Sequence, residues 1–116
     1  MNESILRTKS YDFALRVVKL YRYLCGQKKE FVLSKQVLRS GTAIGALVKE
    51  AEFAQSRADF VNKLSIALKE ANETEYWLSL LKDSDYITDE MHQSIKPDIK
   101  ALISTLVSSV KTAKSN

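Results

Sequence analysis

The sequence predicts an all-α protein, an antiparallel up-down four-helix bundle, and three observations carry that expectation. Apolar residues recur at steps of three and four along four separate stretches of the 116-residue chain, which is the spacing of one buried helix face. Only three glycines and one proline interrupt it, too few for the turns of a β fold. The length suits one domain with one core, and four rods each buried on one stripe pack most simply as a bundle with short connections. The predicted domain spans 1–116, with helices at about 10–27, 34–55, 57–82 and 88–113.

The first helix is expected to start near Ser10 as N-cap, with Asp12 in its first turn. Ala14, Val17, Val18, Tyr21, Leu24 and Cys25 form its apolar stripe, and Gly26 is a natural stop. Cys25 lies in the stripe, so it reads as a buried structural thiol. In the second helix Val37, Gly41, Ile44, Val48 and Ala51 make a heptad seam. Gly41 and Gly45 are four apart and share one face, where missing side chains let a neighbouring backbone approach closely.

The third helix opens with Ser56-Arg57-Ala58-Asp59, a capping-box-like start with the shorter acid. Phe60, Leu64, Ala67, Ala71, Thr74, Leu78 and Leu81 form the clearest core seam in the chain. Beside it runs a mixed stripe of Asp59, Lys63, Ile66, Glu70, Glu73 and Trp77. Two readings fit it: a salt-bridged rim, with Asp59 and Lys63 paired at i,i+4, or a subunit interface with an aromatic anchor ringed by polar groups. Glu50, Glu70, Glu73 and Glu75 read as partners for Lys63, Lys69 and Arg39. Thr88 is expected to cap the fourth helix, whose apolar face is Ile95, Ile99, Leu102, Leu106, Val110 and Ala113. Pro97 falls inside this span and is expected either to kink the helix or to divide off a short opening turn. The tail Lys114-Ser115-Asn116 is expected to fray.

The chemistry of the chain is sparse. His92 is the single histidine and Cys25 the single cysteine, so neither a zinc site nor a His-assisted nucleophile can be assembled. A carboxylate metal centre in such a bundle needs Glu-x-x-His pairs; the residue three before His92 is Asp89. No Gly-Lys-Ser/Thr follows the glycines of the second helix, which rules out a P-loop. The expectation is a protein that is not an enzyme and needs no cofactor. A lone cysteine, no apolar run near ~20 residues and no signal-peptide core in residues 1–7 point to the cytoplasm and away from a membrane.

Charge is the remaining lead. The formal net charge is +4, but residues 1–29 hold seven basic and two acidic side chains, a net +5. A solvated helix face accounts for this; a nucleic-acid surface made of Arg7, Lys9, Arg16, Lys19, Arg22 and Tyr23 is the alternative. Arg16, Lys19 and Tyr23 share a helical face, pairing phosphate-reading charge with a ring that can stack on a base. In a closed oligomer such a patch repeats around an axis and the potentials add.

The segment Leu38-Arg39-Ser40-Gly41-Thr42-Ala43-Ile44-Gly45-Ala46, then Glu50, resembles the second helix of the bacterial 23S ribosomal RNA intervening-sequence proteins. The likeness continues through Ser56, Asp59-Phe60, Lys63-Leu64, Ile66-Ala67, Lys69-Glu70-Ala71, Glu73-Thr74-Glu75 and Trp77-Leu78, and covers roughly residues 10–110. The chain departs at Leu47 and Ala51, where many relatives carry asparagine and glycine. The resemblance implies an up-down bundle that assembles as a homopentamer. Some members are encoded within 23S ribosomal RNA genes, and related retroelement accessory proteins bind nucleic acid and a reverse transcriptase. The partners it implies are therefore further copies of the chain, RNA or DNA, or another protein.

Overall fold

The periodic stripes fold as four helices in the computed structural model, which describes residues 3–115 and side chains from residue 5 onward. They are α1 (Glu3–Gly26), α2 (Leu33–Glu52), α3 (Arg57–Asp83) and α4 (Asp89–Ser115). Sequence neighbours are neighbours in space: α1 packs on α2, α2 on α3 and α3 on α4. Among the described residues the diagonal pairs make no close backbone approach, and α1 touches α4 over a smaller contact. The result is an up-down-up-down rod of 46 × 21 × 19 Å. Among the described residues no helix is long and apolar enough to cross a membrane.

The first helix begins at Glu3, seven residues before the expected start at 10. Ser10 is not its cap. It is buried in mid-helix, with its hydroxyl donating to the Arg7 carbonyl at 3.1 Å. The buried face is Leu6, Ser10, Phe13, Val17, Leu20 and Leu24, an unbroken 4-3 repeat rotated from the expected stripe. A small polar residue in the seam concealed the repeat. Ala14, Val18, Tyr21 and Cys25 sit on the flank, half-buried. The Cys25 thiol lies 3.7 Å from Ser34 Oγ and is thus a flank residue, not a fully buried one.

A carboxylate starts α2. Glu30 is buried and accepts the backbone N–H groups of Val32 (3.2 Å), Leu33 (2.9 Å) and Ser34 (2.7 Å). These are donors that the first helical turn leaves without partners. Burial pushes the Glu30 carboxyl up, but the bonds from Leu33, Ser34 and Val32 and from the Ser34 hydroxyl outweigh it, and its pKa lies below the ordinary value of 4.5. The chain reverses just before it, at Lys29, with φ 53°.

Close approach of α1 to α2 centres on the glycines. A Cβ on Gly41 would lie 2.8 and 2.9 Å from the two methyls of Val17, whereas one on Gly45 would meet the Ser10 carbonyl oxygen at 3.4 Å. Both glycines face α1, as their spacing predicts, but only Gly41 is sterically obligatory. Across the other flank of α2 the Thr74 hydroxyl lies 2.8 Å from Ser40 Oγ and 2.8 Å from the Glu70 carbonyl oxygen, which satisfies a buried polar pair.

The α2 helix ends at Glu52, three residues short of the expected 55, because its final carbonyls are closed by the Phe53 and Ala54 N–H groups in a tight turn. Ser56 caps α3 by accepting the Asp59 N–H at 3.0 Å. The Asp59 carboxylate reaches back to the Gln55 N–H at 3.2 Å, one residue earlier than a glutamate-type box. At the far end Asp85 adopts φ 67°, and the Tyr86→Leu81 and Asp85→Lys82 bonds of 2.9 and 3.0 Å complete a Schellman turn. Thr88 caps α4 through the Met91 N–H at 3.1 Å. The α4 face from Ile95 to Ala113 is buried as expected, with His92 added. Burial, helped by Lys82 and Lys96, holds the His92 pKa below the usual imidazole value.

Pro97 does not divide off an opening turn: the helix is continuous from Asp89 to Ser115. Arg16 of α1 grips the same turn. Its guanidinium donates to the Ser94 carbonyl (3.0 Å), Ser94 Oγ (2.7 Å) and Asp98 Oδ2 (2.7 Å), bracketing the proline. Lys114 and Ser115 continue the helix, while Asn116 lies outside the described residues.

Candidate nucleic-acid interface

Helix geometry sorts the six expected nucleic-acid residues. Lys9, Arg16 and Tyr23 are spaced by seven, which stacks them on one face at 3.6 residues per turn. Arg16, Lys19 and Tyr23 together line one wall of an open groove of about 480 Å³ between α1 and α4. Leu20, Ile87, Met91 and Ile95 also line it, and Glu90 and Ser94 stand on the α4 side. Lys9 extends the same face toward the start of α1 and is exposed. Arg22 is exposed but turned about 100° from Tyr23. Arg7 faces α2, where it pairs with Glu52 at 2.9 Å.

The groove differs from the expected surface in two ways. Arg16 is engaged with Ser94 and Asp98, so its guanidinium positions α4 as well as facing solvent. Lys19 is exposed and makes no ion pair among the described residues, leaving it as the groove's free cation. The α4 half of the site was not found by sequence reasoning. Met91 and Ile95 are spaced four apart and could have been read as a flank; Glu90 gives no such signal.

The mixed stripe of α3 forms the rim between α2 and α3. Asp59, Lys63, Ile66, Glu70, Glu73 and Trp77 are all half-buried. Lys63 pairs with Glu50 of α2 at 3.1 Å; Asp59, its expected partner, is used in the helix cap. Arg39 joins Glu70 at 3.1 Å and also bonds Glu73. The Trp77 indole N–H reaches Glu73 at 3.0 Å and, with Arg39, holds that carboxyl below its ordinary pKa against the effect of burial. Glu75 pairs across the other flank with Lys100 at 3.5 Å. A salt-bridged rim therefore accounts for the stripe within one chain. Tyr76, 59% exposed, stacks edge-on to Trp77 at 5.0 Å between centroids and leaves an aromatic surface beside the rim.

No group of three or more His, Cys, Asp or Glu side chains among the described residues is arranged to hold a metal ion. Fold and site thus define a four-helix-bundle protein whose distinctive side chains lie on outer faces and on the groove between its first and last helices. The chain belongs to the 23S rRNA-intervening sequence protein family, whose pattern matches residues 2–108. It is similar, at 57% identity and a TM-score of 0.93, to a crystal structure described as a protein with unknown function from the S23 ribosomal protein family of Bacteroides thetaiotaomicron. The match covers 96% of this chain and 99% of that one. A comparison with curated protein sequences gives no match.

Proposed function

We propose that this chain is a non-enzymatic cytoplasmic bundle protein that assembles as a homopentamer and binds RNA along its basic first helix. The observation that carries the reading is the convergence of Arg16, Lys19 and Tyr23 on one groove, where charge and an aromatic ring are presented together. Lys9, on the same face, lengthens the track for a phosphate backbone. Repetition of the patch around a symmetry axis would multiply a field that is modest in one copy.

Such binding weakens linearly with salt on log-log axes, because each phosphate contact releases counterions. Mobility-shift titration with a structured RNA should give that line. Lys19→Ala should lower affinity for every RNA tested and reduce the slope by about one. Absence of binding at low salt would remove the reading altogether.

A second reading rests on the Tyr76–Trp77 pair at the α2–α3 rim: an adaptor whose rim meets another copy or another protein. Trp77→Ala should then lower the assembled mass in light scattering. An unchanged mass would discard Trp77 as an interface anchor.

A further inference from the structure

The up-down topology places the α1–α2 turn and the α3–α4 turn at the same end of the rod. Their charges are opposite. Residues 28–35 hold three lysines and one glutamate, a net +2, whereas residues 82–90 hold four acids and one lysine, a net −3. The one acid on the basic side, Glu30, is buried and turned onto the N–H groups of α2, so the outward charges there are Lys28, Lys29 and Lys35 alone. These three lysines, and Asp83, Asp85 and Asp89 on the other turn, are exposed, and none makes an ion pair among the described residues.

Two of these charges oppose the helix they sit on. Asp83 is the last residue of α3 and Lys35 lies in the first turn of α2, yet a helix favours cations at its C-terminus and anions at its N-terminus, by about 0.3–1 kcal/mol each. Stability of the single chain gives no reason for them. The basic turn also displays Phe31 at 54% and Val32 at 71% exposure, two apolar side chains on a backbone that Glu30 holds in place.

We infer that this end of the rod is a self-complementary docking surface for the same end of a second copy, the basic α1–α2 turn of each chain meeting the acidic α3–α4 turn of the other. A two-fold axis across the rod end swaps the two halves, so every attractive pairing occurs twice. The acidic half argues against an anionic membrane or a nucleic acid as the occupant, since either would meet Asp83, Asp85 and Asp89 as well as the lysines. The rod is 21 × 19 Å in section, which limits the contact to about 400 Å² per copy, in the range of weak and salt-sensitive association. In a side-by-side ring the contacts repeat and the avidity rises.

Sedimentation equilibrium over a range of concentrations at low salt tests this. The wild-type mass should rise with concentration toward twice that of a Lys28→Glu, Lys29→Glu variant, and the rise should vanish at high salt. Asp83→Lys, Asp85→Lys should behave like the lysine variant. Combining all four substitutions in one chain, or mixing the two half-reversed variants in equal amounts, should restore the doubling. These side chains are exposed, and matching circular dichroism will establish that the variants are folded. A wild-type mass independent of concentration overturns the inference. So does a rise that K28E/K29E leaves unchanged, or sedimentation of the wild type with phosphatidylserine vesicles that K28E/K29E abolishes. The twofold ratio does not depend on side-by-side assembly: Trp77→Ala changes the mass of the unit that doubles, and the doubling itself stands or falls on the turns.

Discussion

Replacing Gly41 by alanine should destabilise the fold by roughly 1–2 kcal/mol, although alanine is the better helix former by about 1 kcal/mol. The added Cβ would lie 2.8 Å from one Val17 methyl and 2.9 Å from the other. Val17 is fully buried and β-branched, so it has one strongly preferred rotamer in a helix and cannot turn aside. The clash is relieved only by moving α1 from α2, which loosens the packing along the whole contact. Gly45→Ala should do the opposite. Its Cβ would meet the Ser10 carbonyl oxygen at 3.4 Å, an ordinary contact, so the propensity gain of about 0.5–1 kcal/mol is kept. Urea denaturation with unchanged m-values will read both. Val17→Ala combined with Gly41→Ala should be less harmful than the two single effects summed, because the clash needs both side chains. Two destabilising glycine substitutions, or two neutral ones, would refute the assignment of the close approach to Gly41.

Glu30→Ala should cost about 2–3 kcal/mol, more than an exposed N-cap, because three N–H donors lose a charged acceptor at once. Glu30→Gln retains one carbonyl oxygen as acceptor and should fall between wild type and Glu30→Ala. The pH dependence gives a second readout. The folded pKa of Glu30 lies below its ordinary value of 4.5, so the unfolded chain binds the proton more readily. The stabilisation is therefore complete above the ordinary carboxylate range and is lost as pH falls through the lowered folded value. Thermal unfolding of wild type and Glu30→Ala should accordingly converge as the solution is acidified. Curves that stay parallel down to acid pH would show that Glu30 does not act through its charged form.

How much of this was legible differs from element to element. The α3 seam from Leu64 to Leu81 was readable outright from its strict 4-3 spacing, and the α4 face from Ile95 to Ala113 from apolar steps of three and four. The Arg39–Glu70–Glu73 and Lys63–Glu50 pairings were readable as charge-matched sets, but the single partner of each was not. Asp59 could serve Lys63 or the α3 cap, and geometry gives it to the cap. The start of α1 was missed because Ser10 resembles an N-cap, whereas packing against the Gly45 turn lets a small hydroxyl sit in the seam with its proton returned to the Arg7 carbonyl. Glu30 was invisible for a related reason. A glutamate three residues before a helix carries no pattern, and its role depends on the positive φ of Lys29, a feature of the folded turn. The groove was half legible: the spacing of Arg16, Lys19 and Tyr23 places them on one face, but their α4 neighbours come from 67 or more residues away in the chain. The Arg16 contact with the Pro97 turn has the same non-local origin.

The proposed function requires surfaces that several copies present together and that bind RNA. Analytical ultracentrifugation of the chain at low salt, with and without a structured RNA, tests both parts in one experiment. The predicted result is a species several-fold heavier than the 13.1 kDa chain that co-sediments with the RNA and releases it as salt is raised. A single species at 13.1 kDa, with the RNA sedimenting alone, would contradict it.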